Sequence, residues 1–334
     1  MEAMTKRERL TATIQGKPTD RTPVALWRHF PGDDQDPYSL AASTVAFQEQ
    51  YDFDFIKVTP ASSFCVRDWG VEDYWLGNQE GTREYSHHPV RMPEHWYGLQ
   101  RLEPDQGALG NQLRCLELIR DAVGEDVPFI QTIFNPLSQA KNLVGKENLI
   151  AHLREDPVAV RTGLETITAT TVHFIEAARE RGIDGIFLAV QHASHELMCE
   201  REYEEFGIPF DHRLLDAASG LWLNVLHLHG SRVMFDLLDG YPVQVFNWHD
   251  RETPPSLIEG QELVQGAVLG GLRQWDTMLR GTPDEVRREA EEAIQQTGGR
   301  RFILGTGCVT PVTAPWANLR AARDVVEPGQ NRPG

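Results

Sequence analysis

Two histidines one residue apart carry the plainest chemistry in this 334-residue chain. In His227-Leu228-His229 an extended backbone turns both imidazoles to one face and Leu228 to the other, so two nitrogens can chelate one ion. Far downstream, Gly305-Thr306-Gly307-Cys308 sets a thiol behind glycines that allow a tight turn. Two imidazoles, one thiolate and an open fourth position make the donor set of a catalytic zinc site, which keeps one place for water or substrate. The competing assignment makes His227 and His229 hydrogen-bonded core residues and Cys308 a buried free thiol. Arg28 has the fork geometry to clamp a carboxylate, or to form a structural ion pair. His192 is assigned with Arg28 as a catalytic candidate that orients substrate, and Thr59, Asn135, Asn247 and His249 as further substrate contacts. No Gly-x-Ser-x-Gly nucleophile motif and no phosphate-binding glycine loop accompany them.

These residues meet only if separate strands deliver them to one place. Apolar runs at 22–27, 53–59, 128–133, 183–190, 221–226, 243–246, 264–269 and 302–304 are expected as strands, and each candidate lies at or a few residues past the end of one. Between them lie helix signals. Thr5-Lys6-Arg7-Glu8 has capping-box spacing and predicts a helix from 6 to about 15, stopped by Gly16. Asp156-Pro157 starts another that runs to 181, and Thr282-Pro283-Asp284-Glu285 opens a third to about 296. Strands alternating with helices over one uninterrupted chain predict the α/β class and a single closed (β/α)8 TIM barrel, whose active site forms at the C-terminal ends of the strands. The absence of Gly-x-Gly-x-x-Gly after the first strand argues against a dinucleotide-binding sheet. Residues 62–105, rich in Trp, Tyr, His, Pro and Gly, are too long for a plain connection and are expected as an excursion over one barrel face after strand two. The barrel is assigned to residues 1–326 and a disordered tail to 327–334.

Composition narrows the partners. Lys and Arg number 32 against 49 Asp and Glu, a formal net charge of −17, so the summed field repels phosphate backbones and anionic lipid. Neither nucleic acid nor membrane is expected as a partner, which leaves small-molecule substrates and other proteins. Cys65, Cys115, Cys199 and Cys308 lie far apart with no CxxC pair, which fits a reducing compartment better than a disulfide framework. Residues 1–10 are charged, and no run of 18 apolar residues occurs, so the expectation is a cytoplasmic protein without signal peptide or membrane span.

Several segments resemble the uroporphyrinogen decarboxylase superfamily from about residue 5 to 326. They are Pro23-Val24 ahead of Arg28, Tyr51-Asp52-Phe53-Asp54-Phe55-Ile56-Lys57, Leu279-Arg280-Gly281-Thr282-Pro283-Asp284-Glu285-Val286, Gly307-Cys308-Val309-Thr310-Pro311, and Ala317-Asn318-Leu319-Arg320-Ala321. The resemblance implies a (β/α)8 fold and, by analogy, a homodimer. The decarboxylases of that superfamily hold substrate carboxylates with Arg-x-x-x-Arg. Here Arg28 matches the first position, but Gly32 stands at the second. Thr59 falls where they carry a pyrrole-binding aspartate, Asn142 where they carry a tyrosine, and Cys308 on their late histidine. The superfamily's zinc-dependent methyltransferases, which move a methyl group between a corrinoid protein and a thiol, use His-x-Cys-Gly and Gly-Cys-Gly ligand segments. His227-Leu228-His229-Gly230 and Gly307-Cys308-Val309 are similar, with His229 in place of the middle cysteine. The resemblance therefore implies Zn2+ on His227, His229 and Cys308, with a corrinoid as methyl carrier and a corrinoid protein as partner. Its alternatives are a carboxy-lyase acting on a carboxylated substrate and a non-catalytic barrel that binds a corrinoid or tetrapyrrole.

Overall fold

The computed structural model describes residues 3–327. Its strands are β1 (Ile56–Val58), β2 (Glu72–Tyr74), β3 (Glu84–His87), β4 (Phe129–Phe134), β5 (Gly185–Val190), β6 (Val225–Leu228), β7 (Val245–Trp248), β8 (Ala267–Leu272) and β9 (Phe302–Thr306). Seven of them form one parallel sheet in the order β1-β4-β5-β6-β7-β8-β9, and β2 and β3 form a separate antiparallel pair. All residues of the seven strands are buried, as expected of a parallel sheet covered on both faces. The helices are α1 (Lys6–Ile14), α2 (Pro37–Tyr51), α3 (Gly107–Val123), α4 (Pro136–Val144), α5 (Lys146–Glu155), α6 (Pro157–Glu180), α7 (Glu200–Phe206), α8 (Ile208–Ala217), α9 (Phe235–Leu238), α10 (Leu257–Leu263), α11 (Pro283–Thr297) and α12 (Trp316–Asp324). Thr5 and Glu8 make the reciprocal capping box of α1, Asp156 caps α6, and Thr282 with Glu285 caps α11. None of the helices described is long and apolar enough to cross a membrane.

The first expected strand, 22–27, departs from expectation. It is extended but joins the sheet by a single parallel bridge, Val24 to Leu304. Ala25 N–H donates to the Leu304 carbonyl and Leu304 N–H to that of Pro23, while on the other side Asp54 N–H donates to the Val24 carbonyl. A fuller ladder cannot form here, because Pro23 has no N–H and that of Val24 goes to the Asp54 side chain at 2.7 Å. The described residues thus form a curled sheet of seven strands with this segment bonded to both of its edge sequences, where eight full strands were expected.

Asp54 is the anchor of that junction. Its wholly buried carboxylate accepts from Arg9 at 2.6 Å and from Arg21 at 2.7 Å as well as from the Val24 amide, tying α1 and the first segment to the entry of β1.

Several strands also run later than expected. β6, β7 and β8 extend two or three residues beyond the apolar runs at 221–226, 243–246 and 264–269. His227 and Asn247 consequently sit inside strands, paired across the β6–β7 ladder. The excursion at 62–105 holds short helical turns and the β2–β3 hairpin. Its return at Gly81 passes so close to the first segment that a Cβ there would stand 2.5 Å from that of His29. Of the expected tail, Glu327 is ordered against Arg323, and 328–334 lie outside the described residues.

Candidate functional site

Adjacent strand ends bring three imidazoles and a thiol together. His227 lies in β6, His229 just beyond it, His249 just beyond β7 and Cys308 just beyond β9, with one candidate ligand atom from each within 4.8 Å of all the others. The same alternation produces both halves of this cluster. His227-Leu228-His229 and Asn247-Trp248-His249 are in register on neighbouring strands, so His227 faces Asn247 and His229 comes level with His249. Cys308 reaches them because of Gly307. A Cβ at that position would meet the His249 Cα at 2.7 Å and the Trp248 carbonyl at 2.8 Å, so close approach of two backbones is the reason for glycine there.

The tautomer of His227 is set by its neighbour. Asn247 Nδ2 donates to the carbonyls of Leu269 and Thr306, at 2.9 and 3.1 Å, which leaves Oδ1 as an acceptor facing His227 Nδ1 at 2.6 Å. Nδ1 therefore carries the proton, and Nε2 keeps its lone pair for the cluster. His249 is arranged similarly, with Nδ1 at 3.6 Å from the Glu252 carboxylate and Nε2 buried without a hydrogen-bond partner. Cys308 Sγ lies 3.7 Å from His229 Nδ1. Burial, reinforced by the neighbouring imidazoles, holds His227 well below the usual histidine range, and burial with His249 and Lys141 nearby brings His229 down to about 4. These rings are neutral at pH 7, the form that ligates. Burial pushes the Cys308 thiol up to about 12, so without a cation it keeps its proton.

This donor set suits a metal ion. Corners of a zinc tetrahedron with nitrogen and sulfur ligands are about 3.3–3.6 Å apart, so a cluster already within 4.8 Å needs a contraction of at most about 1.5 Å. A mixed imidazole and thiolate set favours Zn2+ over the hard cations, which take oxygen ligands. Asn247→Ala is expected to lower zinc affinity roughly 10–100-fold by freeing the ring of His227. Competition against a calibrated chelator, with a fold check by circular dichroism, measures it.

His227, His229 and Cys308 of this cluster form one wall of a cavity lined also by Trp27, His29, Lys57, Thr59, Glu80 and Gln191. Lys57 was not among the expected site residues. It is 7% exposed and projects from β1, the one charged residue of a buried strand, and that position in an apolar run was the available signal. Its Nζ makes a long 3.4 Å contact with Thr59 Oγ1 and lies over the faces of Phe187 at 4.5 Å and Trp27 at 5.8 Å. No carboxylate among the described residues is within ion-pair distance of it. Desolvation brings Lys57 down to about 7. Aromatic faces return about 2 kcal/mol to a desolvated cation, less than the several kcal/mol its burial costs. Glu80 comes from the excursion, its Oε1 accepting from Gln274 at 2.8 Å.

The remaining expected residues are placed differently. Thr59 does line the cavity. Arg28 does not. Strand alternation turns His29 inward and Arg28 toward α2, where its guanidinium packs over Phe30 at 5.3 Å. Asn135 caps α4 through Ser138 and donates to Asp211 at 3.0 Å within a buried network with Tyr203 and Tyr241, so no polar atom of it is left for a substrate. Asn247 is committed to His227 and two carbonyls, and His249 joins the metal-ligand cluster. His192 is buried, its neighbour Gln191 taking the place in the lining, and desolvation with two nearby lysines brings it down to about 3.

Comparison with known proteins places this architecture. Residues 5–328 match the sequence profile of uroporphyrinogen decarboxylase (URO-D). A methylcobamide:CoM methyltransferase, MtbA, from Methanosarcina acetivorans is 22% identical over 96% of this chain and 97% of its own length. Another, MtaA from Methanosarcina barkeri, is 23% identical over 97% of this chain and 99% of its own. Among solved structures, a methyltransferase from Methanosarcina mazei superposes with a TM-score of 0.84 at 21% identity, covering 96% of this chain and 98% of that one. A B12-independent methionine synthase from Shewanella shares the fold more distantly, with a TM-score of 0.56 at 12% identity over 92% of this chain and 93% of that one.

Proposed function

The chain belongs to the uroporphyrinogen decarboxylase family, and we propose that within it the chain is a methyltransferase that moves a methyl group from a corrinoid carrier to a thiol, using Zn2+ held by His227, His229 and Cys308, with His249 as a fourth donor that the incoming thiol would displace. The observation that carries this reading is the converging cluster of three imidazoles and one thiol, of which His227, His229 and Cys308 line a cavity. The relatives named as methyltransferases and aligned over nearly the whole chain support it. A bound Zn2+ would supply the positive charge that lowers the pKa of an incoming thiol. Three neutral imidazoles and one thiolate carry a single negative charge, so the loaded site stays cationic toward an anionic acceptor. The apolar walls of Trp27, Phe134 and Phe187 exclude water from the reacting thiolate. In the transfer, a sulfur lone pair forms the S–CH3 bond while the cobalt–carbon bond breaks and leaves its electron pair on cobalt. The thiol proton departs beforehand, and Glu80 is the carboxylate in the cavity wall placed to take it. The same segments that make the cavity also suggest that residues 23–25 act as the eighth stave of a barrel.

A carboxy-lyase reading loses its clamp, because Arg28 does not reach the cavity. The test is anaerobic incubation of zinc-loaded protein with methylcobalamin and a short thiol, following loss of the methylcobalamin spectrum and formation of the methyl thioether by NMR. Turnover in the wild type that disappears in Cys308→Ala is expected. Corrinoid binding with no thioether above background would instead identify a non-catalytic barrel.

Metal uptake by this set is expected to depend on pH. Because Cys308 is pushed up to about 12, zinc must displace its proton, and affinity should rise about tenfold per pH unit from pH 6 to 8. An affinity flat across that window would show that the thiol is not a ligand. Isothermal titration in buffers of different ionisation enthalpy counts the proton directly.

A further inference from the structure

The hairpin tip between β2 and β3, residues 75–82, folds back over the cavity and adds Glu80 and Thr82 to its lining. Asn78 ties the tip together. Its carbonyl accepts from Trp75 Nε1 at 3.0 Å and from the Gly81 amide at 2.9 Å, and its Oδ1 accepts from the Glu80 amide at 2.8 Å. The root of the hairpin is fixed as well, because Arg83 bonds Asp73 at 2.9 Å and Asp34 at 3.3 Å. The seat of the tip is held more thinly. Among the described residues two hydrogen bonds cross it: Val312 N–H donates to the Gln79 carbonyl at 2.7 Å, and Gln274 Nε2 to Glu80 Oε1 at 2.8 Å. Gln274 is itself buried, at the start of a π-helical turn that follows β8. Gly81 completes the seat, so close to its neighbours that a Cβ would stand 2.5 Å from that of His29 and 3.0 Å from Val312 Cγ1.

Two features make this seat easy to leave. Gly77 and Gly81 have φ of 86° and 82°, where glycine turns freely, and nothing lies within 4 Å of a Cβ built at Gly77. Beneath the seated tip Gln274 Oε1 and His29 Nδ1 are buried without a hydrogen-bond partner, and water that reaches them on opening offsets part of what the broken contacts cost. The closed cavity measures about 80 Å3. Pockets for drug-sized ligands measure roughly 300–1,000 Å3, and a corrinoid is larger than such ligands. We propose that residues 75–82 form a hinged strap, latched shut by Gln274 through Glu80, that lifts to admit the methyl carrier and seats again when the carrier leaves. Gln274 is thus a positioning residue, which by one bond both seats the strap and aims the Glu80 carboxylate. The admission of a corrinoid rests on the methyl-transfer reading, whereas the latch rests on the contacts alone.

The experiment follows amide hydrogen exchange by NMR in metal-free protein. The Val312 amide is bonded to the strap and exchanges when the strap lifts, whereas the Thr310 amide, bonded to the Trp27 carbonyl at 2.8 Å, reports on the neighbouring loop. Gln274→Met removes a hydrogen bond to a charged group, so Val312 is expected to exchange roughly tenfold or more faster while Thr310 is unchanged. Equal Val312 rates in the two proteins, or acceleration of Val312 and Thr310 together, overturns the latch. Gly81→Ala blocks the seat from the other side and is expected to have the same effect. It carries the test if Gln274→Met does not yield folded protein by circular dichroism. A second arm reads the carrier separately, with methylcobalamin added to wild type at a concentration where equilibrium dialysis shows it bound. Faster Val312 exchange supports entry past a lifted strap. Binding that leaves Val312 unchanged, or no binding at all, contradicts admission of the carrier, and the latch is then decided by the first arm.

Discussion

Replacing His227 by Ala is expected to abolish methyl transfer and to reduce zinc affinity by more than the 10–100-fold that follows loss of an outer partner such as Asn247. His227 is the donor whose geometry is most fully determined: its strand is paired on both sides, its ring proton is assigned by the Asn247 amide, and its free nitrogen faces the cluster. The variant leaves Asn247 Oδ1 without its donor, at a cost of about 1–3 kcal/mol in stability, so a fold check must accompany the metal measurement. Chelator competition on folded protein gives the affinity, and thioether formation gives the activity. Activity that persists in metal-free His227→Ala protein would remove zinc from the mechanism.

The second large effect concerns the fold. Asp54→Ala is expected to destabilise the protein by about 3–5 kcal/mol, because it leaves Arg9 and Arg21 buried against a missing carboxylate and frees the Val24 amide that Asp54 accepts. The change falls at the one place where the sheet is joined by a single bridge, so strain there is not shared along a ladder. Urea denaturation followed by circular dichroism measures the loss, and a midpoint within experimental error of the wild type would show that the segment at 22–27 is held by other contacts. The metal site, at the opposite ends of the strands, is expected to keep its affinity in whatever fraction of the variant remains folded.

The same physics explains what the sequence made legible. Capping boxes at Thr5 and Thr282 and the Asp156-Pro157 start were readable because their signals are local, resting on side chains that bond amides three residues away. The His227-x-His229 pair was readable because strand alternation is a fixed period of two. The same period at Asn247-x-His249 was available, but His249 becomes a candidate ligand only through the register of β6 against β7, which a single segment does not encode. Arg28 and His29 illustrate the reverse. Both sit at a strand end, and a one-residue difference in facing decides that His29 enters the cavity while Arg28 packs against Phe30. Strand ends were placed two or three residues early because His227 interrupts the apolar run of β6, Asn247 that of β7 and Gly270-Gly271 that of β8 before the ladders end. Lys57 was passed over although it lay inside the expected strand at 53–59, since one charge within an apolar run points to a cavity only once its burial is known.

The central claim, that His227, His229 and Cys308 hold a catalytic metal ion, is tested most directly by elemental analysis of wild type and Cys308→Ala, both purified without a metal-binding tag and then equilibrated with limiting zinc. The account predicts about one zinc per wild-type chain and a substantial loss in the variant. A wild type that stays metal-free, or a variant that binds zinc as tightly as the wild type, would contradict it.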